Sequence, residues 1–63
     1  MYTLGIDIGS TTSKCAVIKD GTELAGRSLQ RGGLGTDGPA EALAELWRTC
    51  GLTQADMART VVT

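Results

Sequence analysis

The chain has 63 residues, a formal net charge of −1 and no histidine, with one Trp, one Tyr and no Phe. That length limits it to one small domain, which buries only about 60% of the surface its unfolded chain exposes. The near-neutral charge gives no electrostatic footprint for nucleic acid or an anionic membrane, so neither is expected as a partner.

No apolar run approaches the ~20 residues of a membrane span. The start "MYTLGIDIG" lacks the basic and apolar regions of a signal peptide, and a cytoplasmic location is expected. Cys15 and Cys50 form no C-x-x-C pair and read as free, partly buried small hydrophobes, as is usual in a reducing cytosol.

In "YTLGIDIG" Tyr2, Leu4, Ile6 and Ile8 alternate with Thr3, Gly5, Asp7 and Gly9, the period of two that marks a strand. "SKCAVIKD" is a second strand, with Cys15 and Val17 opposing Ala16 and Ile18. Asp20-Gly21 signals a tight hairpin, and "TELAGRSLQ" returns as a third strand nearer an edge. The expected meander thus covers residues 2–30, followed by a loop, "RGGLGTDG", over 31–38.

Pro39 suits the first helical position. Ala40, Leu43, Ala44 and Trp47, joined by Leu46 and Cys50, form an apolar stripe with Glu41, Glu45 and Arg48 opposite. A helix over 39–50 is expected, closed by Gly51. "TQAD" reads as a second start signal, for a short helix over 54–59. "TVVT" then begins a fourth strand over 60–63, and the order reads as part of a larger α/β domain rather than a free-standing one.

The chemistry lies between the first two strands, in Gly9, Ser10, Thr11 and Thr12. Backbone amides and hydroxyls with no bulky side chains can converge there on a phosphate. The spacing matches neither G-x-x-x-x-G-K-[ST] nor G-x-G-x-x-G, and a strand rather than a helix follows. Asp7, two residues upstream, would repel a phosphate unless a divalent cation stood between them. It therefore reads as a catalytic Mg²⁺ anchor, direct or through water, with Lys14 as a point charge. The plainer alternative is also open: hydroxyls that cap their own turn, a solvated Asp7 and a surface Lys14.

"GIDIGSTTSK" resembles the first phosphate motif of the actin-like (ribonuclease H-like) ATPase superfamily. That implies an α/β fold of a three-stranded meander, a helix and the start of a fourth strand. "YTLGIDIGSTTSKCAVIKDG", "GLGTDGPAEALAEL" and "ADMARTVVT" are together similar to the N-terminus of 2-hydroxyacyl-CoA dehydratase activators and benzoyl-CoA reductase ATPase subunits. The resemblance covers essentially the whole chain and about the first quarter of such a protein.

It implies ATP or ADP with Mg²⁺ held by Asp7 and by Gly9, Ser10, Thr11, Thr12, Ser13 and Lys14. It also implies a cytoplasmic homodimer that carries a four-iron four-sulfur cluster and drives a low-potential electron onto a dehydratase or reductase partner. Neither Cys15 nor Cys50 matches the family's cluster ligands. The 63 residues alone are expected to be inactive. The alternatives are the N-terminal part of a sugar or acyl kinase of the same superfamily, and a non-catalytic truncated fragment.

Overall fold

A computed structural model describes residues 1–33 and 35–63. Leu34, within the expected loop 31–38, lies outside the described residues. The alternating segments form an antiparallel meander of β1 (Tyr2–Ile8), β2 (Thr12–Lys19) and β3 (Glu23–Arg31). β4 (Met57–Val62) lies on the other side of β1 and runs parallel to it, so the sheet order is β3-β2-β1-β4. Parallel pairing needs a crossover rather than a hairpin, and α1 (Gly38–Cys50) supplies it.

The period of two decides what each sheet face carries. Leu4 sits opposite Val17, and Ile6 opposite Cys15, all beneath α1. Leu4, Cys15 and Val17 are buried there against Ala42 and Leu46 of the helix. Each of the two fully buried leucines contributes about 1.5–3 kcal/mol through burial. The other face carries Gly5, Asp7, Lys14 and Ala16, and no described helix covers it.

The helix starts one residue earlier than its proline suggests. The Asp37 side chain makes no capping bond; the Gly38 N–H donates instead to the Thr36 hydroxyl at 3.1 Å. Its buried line is Gly38, Ala42 and Leu46, flanked by Leu43 and Trp47, whereas Ala40 and Ala44 are exposed. The expected stripe was displaced because small residues allow close approach: at Gly26 of β3 an added Cβ would come within 2.9 Å of Cys50 Cβ. The helix ends at Gly51, in the left-handed region (φ 73°), as expected.

The expected short helix over 54–59 is a single 3-10 turn, Gln54–Asp56. The Thr53 N–H donates to Asp56 Oδ2 at 2.8 Å, closing the capping box. The strand expected from residue 60 begins at Met57, because Met57 and Arg59 pair with Tyr2 and Thr3 of β1 and Met57 packs on the core. The ladder outweighs the start signal after one turn. Ala58 is an extra residue in that pairing, a β-bulge.

Candidate functional site

The β1–β2 connection is a narrow hairpin. The Gly9 N–H donates to the Thr12 carbonyl at 2.8 Å, leaving Ser10 and Thr11 at the tip, both exposed. Neither has a positive φ; among the described non-glycine residues only Asp20 does. The tip thereby carries two exposed hydroxyl residues, and hydroxyls beside backbone amides are a combination that can ligate an anion.

Alternation from the hairpin settles which other candidates share its functional side. Asp7 and Lys14 are directly opposite each other across the β1–β2 ladder, both exposed, on the face away from α1. Thr63 continues β4 beside them: its N–H donates to the Ile6 carbonyl at 2.8 Å, and its hydroxyl lies 3.5 Å from Asp7 Oδ1. An exposed carboxylate beside a hydroxyl, two residues from the hairpin, suits a hydrated divalent cation that keeps most of its waters. An open hollow of about 760 Å³ adjoins Asp7 and Lys14, with Gly5, Ala16, Leu29 and Val61 in its apolar lining.

Ser13 departs from the expected set. It is on the helix side of β2, fully buried, and its hydroxyl donates to the Gly32 carbonyl at 2.8 Å. Its place in the alternation Ser13, Cys15, Val17 was the available signal for this inward orientation. Gly9 has room for a side chain within the chain's own packing, since an added Cβ there would find its nearest neighbour, the Thr12 carbonyl oxygen, at 3.5 Å, an ordinary contact. Gly33, by contrast, leaves no room: an added Cβ there would overlap the Gly9 carbonyl oxygen and fall 2.7 Å from the Ser10 carbonyl carbon. Sequence reasoning placed Gly33 in a loop and gave it no role at the site.

Both cysteines are free. Burial pushes the Cys15 thiol up, and its hydrogen bond with Ser28 opposes that. Among the described residues no three His, Cys, Asp or Glu side chains gather as a metal-binding group. No helix among them is long and apolar enough to cross a membrane.

No protein-family profile matches the chain. Individual relatives do match it. It is 48% identical over all 63 residues to the (R)-2-hydroxyglutaryl-CoA dehydratase activating ATPase of Acidaminococcus fermentans, covering 24% of that protein. It is 41% identical, again over its whole length and 24% of the relative, to the activator of lactoyl-CoA dehydratase of Anaerotignum propionicum. Among solved structures, the activator of the 2-hydroxyisocaproyl-CoA dehydratase from Clostridium difficile with bound ADPNP superposes with a TM-score of 0.96. That match has 40% identity over 98% of this chain and 23% of that one.

The mixed sheet with its helical crossover is therefore the N-terminal sheet of an actin-like ATPase domain. Within that class the chain is similar over its whole length to the activating ATPases of 2-hydroxyacyl-CoA dehydratases, and it spans about a quarter of the length of the curated relatives it matches.

Proposed function

We propose that this chain forms the phosphate- and metal-binding part of an ATPase that activates a CoA-ester dehydratase or reductase. The observation that carries this is the likeness to an ADPNP-bound activator, combined with an outward hairpin flanked by an exposed aspartate. In this reading the amides and hydroxyls of Gly9, Ser10, Thr11 and Thr12 orient the ATP phosphates. Asp7 holds the hydrated Mg²⁺, and Lys14 adds a positive charge on the same face. The metal supplies charge neutralisation at the phosphates, and the protein's share of hydrolysis is positioning and electrostatics rather than a covalent nucleophile. Ser13 acts through the hairpin's placement and not by contact.

The low-potential electron, the four-iron four-sulfur cluster, the homodimer and the cytoplasmic location complete the reading from the activator family. The residues here do not fit the cluster. Cys15 is buried beneath α1, and Cys50 packs against β3 at Gly26. The cluster's ligands are then residues other than these two. The partner is the dehydratase or reductase that receives the electron, as the relatives' names indicate for them. Nothing in the geometry favours a sugar or acyl kinase.

Asp7→Asn in the full-length protein tests the site. It should lower Mg²⁺-dependent ATP hydrolysis by about 100-fold while leaving the thermal midpoint near that of the wild type. Undiminished turnover would remove Asp7 from the site.

A further inference from the structure

The phosphate hairpin is held by a loop distant from it in sequence. Within the hairpin, the Gly9 N–H to Thr12 carbonyl bond is the closing contact. From outside, the Gly32 N–H donates to the Thr11 carbonyl at 2.7 Å, and the Ser13 hydroxyl donates to the Gly32 carbonyl. Gly33 then lies flush against the hairpin's back, where an added Cβ would fall 2.7 Å from the Ser10 carbonyl carbon and overlap the Gly9 oxygen.

The loop is itself anchored. The Thr36 hydroxyl donates to the Gly33 carbonyl at 2.7 Å, and the Gly38 N–H donates to that same hydroxyl. Gly38, the first residue of α1, leaves no space for a Cβ against the Gly32 carbonyl. A continuous set of contacts thus runs from the first turn of α1 to the hairpin tip.

The geometry points to Gly33, with Ser13, as positioning residues for the nucleotide's phosphates: they set the hairpin backbone from behind and touch no ligand. This deepens the proposed function and rests on it. Amide groups that ligate phosphate must converge on one point, and a misplacement of about 1 Å in such an array costs up to about 100-fold. A side chain at position 33 can be accommodated only by moving the hairpin or the loop, and the loop is tied to α1.

The test uses Mg·ADPNP as probe on the full-length protein, with affinity read by calorimetry and the hairpin read by backbone amide shifts. Gly33→Ala should weaken binding by about 10- to 100-fold, and the amides of residues 9–12 should shift while those of residues 19–22 stay. Ser13→Ala should weaken binding less, with shifts at the same amides, and it carries the test should Gly33→Ala fail to fold. Gly26→Ala is the control, since it strains the contact with Cys50 far from the hairpin and should lose thermal stability at wild-type affinity. Wild-type affinity in both Gly33→Ala and Ser13→Ala overturns the inference, as does a loss no greater than that of a Gly26→Ala protein of equal thermal midpoint. Wild-type protein that binds no Mg·ADPNP overturns the phosphate reading first, and the inference with it.

Discussion

The meander contains two tight hairpins of similar size, built on opposite principles. Between β2 and β3, Asp20 (φ 55°) and Gly21 (φ 80°) occupy the left-handed region, and the Thr22 N–H donates to the Lys19 carbonyl at 3.2 Å. This is a type I′ turn, whose twist matches the strands it joins. Met1 supports it further, its carbonyl accepting from the Asp20 N–H at 2.7 Å and its amine lying on Asp20 Oδ1 at 2.7 Å. Between β1 and β2, Ser10 and Thr11 lack that backbone conformation, and the turn depends on Gly32, Gly33 and Ser13. A turn that specifies its own shape needs no loop behind it. A turn shaped from behind leaves its front free for a ligand.

Breaking the external support should have the largest consequence. Gly38→Ala forces a methyl against the Gly32 carbonyl at the root of the loop, and should cost about 3 kcal/mol as overpacking, measured as a lowered denaturant midpoint. Ser13→Ala removes one buried hydroxyl and leaves the Gly32 carbonyl with a lost partner; a cost of about 1–2 kcal/mol is expected in the same measurement. The self-specified turn should be less sensitive and functionally silent. Gly21→Ala places a Cβ in the left-handed region and should cost about 1 kcal/mol without changing Mg·ADPNP affinity.

The smallest effect sharpens the comparison through pH. Hydrogen bonding to the Met1 amine, followed by its charge, holds the Asp20 carboxyl below its ordinary value of 3.8. A depressed carboxylate stabilises the fold above the unfolded-state pKa, and that contribution disappears as pH falls through the lower folded-state value. Asp20→Asn should therefore flatten the acid limb of the stability–pH curve below about pH 4 and leave neutral-pH nucleotide binding intact. An unchanged acid limb would show that the exposed pair adds nothing to the turn.

These differences also explain which parts were legible in the sequence. Asp20-Gly21, the alternation of β1 and the Gly51 helix stop are local signals, each decided within a few residues, and all three appear in the structure. The edge position of β3 and the presence of a fourth strand were likewise readable. The contact of Gly33 on Gly9 joins positions far apart in the chain, so composition showed only a glycine-rich loop. The helix stripe shifted toward Ala42 because α1 approaches β3 at Gly26, a tertiary fact. The turn at Gln54–Asp56 stopped short because β1 captured Met57. The exposure of Asp7, Lys14, Ser10 and Thr11 was legible because their chemistry and their alternation are written in one contiguous stretch.

The bulge at Ala58 acts as a phase shifter. Side chains on a strand exchange faces with each single-residue step, and Met57 is on the core side while Arg59 pairs with Thr3 on the other. Were Ala58 paired with Thr3 in a regular ladder instead of bulged out, every position after it would present its opposite side. Val61 would turn toward the helix, and the Thr63 hydroxyl would leave Asp7 for the core. A single bulged alanine, remote from the hairpin, thus sets the parity of a whole strand and with it the polarity of the surface beside the Asp7 carboxylate.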